Sequence, residues 1–193
     1  MIETLFCKFA TFIYALRGWD FEPLPDYWSK KSVIIGFPHR ENMDTVMAFA
    51  GFKRVRIRGH ILIKKAWFFG PLAYAMRALG GIPVDRDAPG GVVGTMVHEF
   101  QTRDEFILAM VPEGTRKNVH TLKTGFWHIA KAANVPIICW YLDSNSKKTR
   151  WVGFIEAGEN LDTDLQKIHD LYASAGFEIP MNTAALPTEE KSN

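Results

Sequence analysis

The chain has 193 residues, 47% hydrophobic and 23% charged, with 23 basic against 21 acidic side chains. At roughly 150 residues per domain this is one domain, able to bury about 70% of its unfolded surface without a disulfide or metal staple. The net charge of +2 excludes nucleic-acid binding driven by bulk charge, and the composition excludes a disordered tail protein. Cys7 and Cys139, far apart in sequence, read as small buried hydrophobes in a reducing compartment rather than as a disulfide. No apolar run reaches the roughly 18 residues of a membrane-spanning helix. A soluble or peripheral protein is expected.

Residues 1–16 carry Ile2, Leu5, Phe6, Phe9, Phe12, Ile13 and Leu16 at helical spacing, with Lys8 and Arg17 off that face. Such a helix packs on the domain or lies in the plane of a membrane surface. It lacks the charged start and small-residue cleavage site of a signal peptide. Residues 1–19 are therefore set apart as an amphipathic N-terminal helix with a candidate membrane contact. Pro23 and Pro25 then interrupt any helix.

Strands are expected at 32–37, 55–63, 106–111, 136–142 and 151–155, with a short run at 82–84. Helical patterning falls at 41–52, 66–79, 91–103, 125–133 and 162–175, the last capped by Asp162 or Thr163. The alternation Lys53-Arg54-Val55-Arg56-Ile57-Arg58 reads as the wet face of a strand, suited also to anionic headgroups. Trp67, Phe68 and Phe69 form a core cluster or a surface anchor. Residues 180–193 are a polar, flexible tail. Strands alternating with helices predict an α/β layered domain over 20–179, its central sheet largely parallel or mixed and flanked by helices.

Polar clusters follow three of the strands, where open α/β sheets place their ligands. After the first comes His39, with Asp44 five positions on. A carboxylate on one imidazole nitrogen would fix the tautomer and support the imidazolium formed when the other nitrogen takes a proton. No Ser or Cys stands beside them as a nucleophile, so the natural one is a hydroxyl on the substrate. After Val84 come Asp85 and Arg86, and after Val111 come Pro112, Glu113, Gly114, Thr115 and Arg116. Gly114 permits a tight turn and close approach to a ligand, and a guanidinium fork suits phosphate. Taken singly, each has an ordinary reading: a capping Asp, a strand-end ion pair, a solvated turn. The remaining histidines, 60, 98, 120, 128 and 169, have no defensible metal-ligand spacing.

The order His39-x4-Asp44, Ile82-Pro83-Val84-Asp85-Arg86, Pro112-Glu113-Gly114-Thr115-Arg116 and Val135-Pro136-Ile137-Ile138 resembles the four blocks of the glycerophospholipid acyltransferases. The lysophosphatidic acid acyltransferases look most similar, over residues 18–155, in a compact bacterial-type form. Pro38 stands where relatives commonly carry Asn, and Val111 where they often carry Phe.

The resemblance implies a glycerol-3-phosphate acyltransferase-like fold. It makes His39 the general base and Asp44 its orienting partner. Arg86, Glu113, Gly114, Thr115 and Arg116 would form the phosphate-binding site, and Lys64 would contact substrate or oxyanion. The implied reaction moves a fatty acyl group from acyl-CoA or acyl carrier protein to a lysophospholipid hydroxyl, foremost that of 1-acylglycerol 3-phosphate. Alternative acceptors are a lyso-amino-acid lipid and glycerol 3-phosphate. A thioester hydrolase and a non-catalytic lipid-binding module are the competing readings. The thioester is a co-substrate, so no metal or cofactor is expected, nor any nucleic-acid partner. The expected location is cytoplasmic, at the inner face of the cell membrane.

Overall fold

The segment Lys31–Phe37, KSVIIGF, is apolar at both parities, as a strand covered on both faces must be. It is the centre of the molecule. The structure is a computed structural model that describes residues 12, 16–37, 51–52, 54–78, 80–84, 91–113, 122–143 and 145–179. In chain order its elements are β1 (Asp20–Phe21), β2 (Lys31–Phe37), β3 (Gly59–Lys64), a 3-10 turn (Lys65–Trp67), α1 (Gly70–Ala78), β4 (Gly81–Val84) and α2 (Gly91–Thr102). Then come β5 (Phe106–Met110), α3 (Gly125–Ala133), β6 (Ile137–Asp143), β7 (Lys148–Ile155) and α4 (Leu161–Ser174).

The strands form one seven-stranded sheet in the order β1-β7-β6-β2-β5-β3-β4. β6, β2, β5, β3 and β4 pair in parallel, while β7 is antiparallel to β6 and carries β1 beside it. This is the expected α/β layered domain with a mixed sheet. Pro83 is tolerated because β4 is an edge strand, where a missing N–H breaks no inner ladder.

Strand alternation splits the core in two. Val33, Ile35 and Phe37 of β2, with Phe106 and Leu108 of β5 and Ile137 and Cys139 of β6, meet α2, α3 and α4 through Met96, Phe100, Phe126, Ile129, Leu165, Ile168 and Tyr172. The other parity, Ile34, Ile107, Ile138, Trp140 and Leu142, packs with Phe21 and Phe52. Each such side chain taken from water stabilises by roughly 1.5–3 kcal/mol, so this two-sided burial fixes the register of the central strands.

Several boundaries differ from expectation. β3 begins at Gly59, not 55, because the preceding chain closes a helix. Gly51, Phe52 and Arg54 are helical, Arg56 is left-handed at φ 60°, and the Ile57 N–H reaches the Phe52 carbonyl at 2.9 Å. That is a Schellman ending, so the basic alternation is not the wet face of a strand. The helix expected at 66–79 is broken: Gly70 takes φ 45° and Pro71 opens α1, since proline cannot extend a helix backwards. α4 is capped by Asn160, whose side chain accepts the Thr163 N–H at 2.9 Å, and not by Asp162 or Thr163. β7 starts at Lys148 rather than Trp151 because pairing with both β6 and β1 carries its polar first residues.

Candidate active site

Parallel pairing sends the carboxyl ends of β2, β5, β3 and β4 to one edge of the sheet. β2 ends at Phe37, shortly before His39 in sequence; β4 ends at Val84, before Asp85 and Arg86. β3 ends at Lys64, which is exposed and in register with Val84. After β5, Val111 is exposed, Pro112 buried and Glu113 half-buried. The Lys123 N–H donates to the Pro112 carbonyl at 2.8 Å, so both anchors of the segment bearing Gly114, Thr115 and Arg116 are tied together.

Of the expected site residues, Lys64 and Glu113 are described, and both sit on this edge. His39, Asp44, Arg86, Gly114, Thr115 and Arg116 lie outside the described residues, as do residues 1–11 and 180–193 of the expected terminal segments. Among the described residues no group of His, Cys, Asp and Glu is placed to hold a metal ion.

Two residues the sequence did not single out shape the route to this edge. Gly36 is registered against Trp140, and a Cβ there would lie 2.7 Å from the indole Cε3. The missing side chain is what lets Trp140 cover β2 just before the chain turns toward His39. On the opposite face, the register of β6 on β7 slips between Cys139 and Trp140, and such a bulge leaves backbone groups out of the ladder. The buried Tyr172 hydroxyl takes them up. It accepts the Trp140 N–H at 3.1 Å and faces the carbonyls of Trp140 at 2.9 Å and Ile35 at 3.2 Å. Burial raises its pKa well above the ordinary value, so it stays a neutral donor. Burial also pushes the neighbouring Cys139 thiol up to about 12, which removes it as a nucleophile.

The family model Acyltransferase matches residues 20–143, more than half of the chain. The chain belongs to the Acyltransferase family. Its fold is similar to the crystal structure of the 1-acyl-sn-glycerophosphate (LPA) acyltransferase PlsC from Thermotoga maritima. That likeness has a TM-score of 0.59 at 17% identity and covers 90% of this chain and 77% of the other. At that identity the likeness carries the fold. No curated protein matches the chain in sequence. The family match spans β1 to the end of β6, and so includes every strand whose carboxyl end reaches the candidate edge. This acyltransferase has no helix, among its described residues, long and apolar enough to cross a membrane.

Proposed function

We propose that the protein transfers a fatty acyl group from acyl-CoA or acyl carrier protein to the free hydroxyl of a lysophospholipid, foremost 1-acylglycerol 3-phosphate, giving phosphatidic acid. The observation that carries this reading is the shared edge at which β2, β3, β4 and β5 end, because the three motif blocks follow from those ends in sequence. It is supported by the family match and by the likeness to a protein described as an LPA acyltransferase.

In this mechanism His39 takes the proton of the acceptor hydroxyl and Asp44 holds the imidazole in the right tautomer. The hydroxyl oxygen attacks the thioester carbonyl, the C–S bond breaks, and the proton leaves with the thiolate. Cations and backbone amides balance the transient oxyanion, with Lys64 on the correct edge to contribute. Arg86 and Arg116 grip the acceptor phosphate, Gly114 and Thr115 shape that loop, and Glu113 steadies it or touches the acceptor.

The acyl chains involved reside in a bilayer, so the enzyme works at a membrane surface, on the cytoplasmic side of the cell membrane. Phe69 and Tyr74 are 64% and 69% exposed, and the exposed Lys64 and Lys65 precede Phe69 by five and four positions. Phe12 and Leu16 are also exposed. Apolar rings flanked by lysines suit an anionic interface. Phe68 is only half-buried, and the Trp67 side chain lies outside the described residues.

The test is to incubate the protein with acyl-CoA and separate lyso-acceptors and identify the products by mass. Acylated lipid that disappears with His39→Ala, by a factor of about 10² or more, upholds the reading. Free fatty acid without acylated lipid makes the protein a thioester hydrolase. Lipid binding that His39→Ala leaves intact, with no product of either kind, makes it a binding module. Arg116→Ala should raise the KM for the acceptor, and an unchanged KM removes the phosphate assignment.

A further inference from the structure

The opposite edge of the sheet, where the parallel strands begin, carries a cavity of about 310 Å³ lined by Arg58, His60, Arg77, Pro83, Glu99 and Arg103. Three guanidinium groups meet there with one carboxylate. Arg103 is already fixed: one arm bridges to Glu99 at 2.5 Å and the other donates to His60 Nε2 at 3.2 Å, with Phe106 beneath the guanidinium at 5.2 Å. His60 is 4% exposed and places Nδ1 3.3 Å from the Ile107 carbonyl. That network assigns the proton to Nδ1 and leaves Nε2 as acceptor. Burial, then Arg103, lower the pKa of His60 to about 4, so the ring adds no charge at neutral pH.

Glu99 is engaged by Arg103, and Arg58 and Arg77 form no ion pair with a carboxylate among the described residues. Arg77 is steadied instead by the Phe68 ring, 5.3 Å from its guanidinium carbon. The surplus charge faces a cavity, and both arginines are exposed at its margin. Guanidinium forks in such a setting match the paired oxygens of a phosphoryl group. The volume, at the low end for ligand pockets, suits a small anion or a headgroup better than an acyl chain.

We propose that this cavity is a phosphate-binding site, separate from the candidate catalytic edge and filled either by a soluble phosphate or by the phosphate of an anionic lipid. His60 stands about 13 Å along β3 from Lys64 at the rise of a parallel strand, while Pro83 carries the far wall of the cavity to the register of Ile63. Its arginines are residues other than Arg86 and Arg116, so the site stands whether or not that assignment holds.

The two sites are told apart by working in R86Q/R116Q protein, titrated calorimetrically with inorganic phosphate. Saturable binding should persist there and weaken by about tenfold or more on adding R58Q/R77Q, as loss of charge-assisted hydrogen bonds requires. Both side chains are exposed, so the fold should survive the change, and R58K/R77K, which keeps charge without the fork, is the control on general electrostatics. Co-sedimentation with phosphatidylcholine vesicles, with and without phosphatidylglycerol, identifies the source. Extra binding to the anionic vesicles that R58Q/R77Q removes points to a lipid headgroup; phosphate binding without it points to a soluble phosphate. If R58Q/R77Q changes neither measurement, or R58K/R77K matches the parent in both, the forked site does not exist.

Discussion

One hydroxyl, that of Tyr172, repairs a defect in the middle of the sheet. The bulge at Trp140 is tolerable because an O–H from α4 meets backbone groups that water cannot reach. Tyr172→Phe leaves the ring packed but the Trp140 N–H and carbonyl short of a partner, and should lower stability by about 1–3 kcal/mol in urea unfolding. Gly36 is the matching device on the other face. A methyl at position 36 meets the Trp140 ring at 2.7 Å, and Gly36→Ala should cost about 1–3 kcal/mol through overpacking. Because the same ring covers the strand leading to His39, that variant should also lose kcat for acyl transfer. A variant as stable and as active as the parent would show that the indole moves aside freely. Neither residue was legible beforehand. Tyr172 reads as an ordinary core aromatic and Gly36 as a weak point in a strand, because the partner of each is distant in sequence.

Elements were legible where burial dictates residue type at every position. β2, β5 and β6 are covered on both faces, so their runs of Ile, Val, Leu and Phe show no other periodicity. α3 was equally plain, bounded by Gly125 and Asn134, the latter left-handed at φ 52° as a C-terminal residue should be. The candidate edge followed from the same logic, since the motif blocks stand after apolar runs and the runs proved parallel. The segment before β3 misled because a helix ending and a half-buried strand share one pattern there. Val55 and Ile57 pack against the core formed by Phe21, Phe52 and Trp140, and Arg54, Arg56 and Arg58 alternate with them. Arg56 carries the cost of that ending. A left-handed backbone disfavours any side chain with a Cβ, so Arg56→Gly should raise stability by about 1 kcal/mol. Asn134→Gly should gain less, because asparagine tolerates the conformation. Equal effects at the two positions would mean that the helix ending at 54 is not strained by its arginine.

Across the whole molecule, two buried titratable groups set the response of stability to acid, each tying different layers together. His60 joins β3 to β5 and to Arg103 beyond α2. Asp164, near the start of α4, accepts from Trp127 of α3 at 2.9 Å, from the Gly158 N–H at 2.6 Å and from Lys167 at 2.8 Å. The pKa of His60 falls from 6.5 to about 4, through burial first and then through Arg103; the Ile107 carbonyl opposes this, and Arg58 (lowering) and Glu99 (raising) add less. The unfolded chain therefore binds this proton before the folded one does. The stability involved is complete above 6.5, is lost as the pH falls toward about 4, and changes no further below that. For Asp164 burial raises the pKa, but the hydrogen bonds from Lys167, Trp127 and Gly158 outweigh it and hold the carboxyl below 3.8. Its contribution is present above 3.8 and drains away as the pH falls from there through the folded value. The His60 window lies mainly above that of Asp164, and the two meet near pH 4. Urea midpoints taken at closely spaced pH should thus show two declines, His60→Gln flattening the upper one and Asp164→Asn the lower. Subtracting each variant's profile from the parent's removes the other carboxylates. A His60→Gln difference that stays constant between 6.5 and 4 would mean that the imidazole takes up its proton in the folded protein as readily as in the unfolded chain.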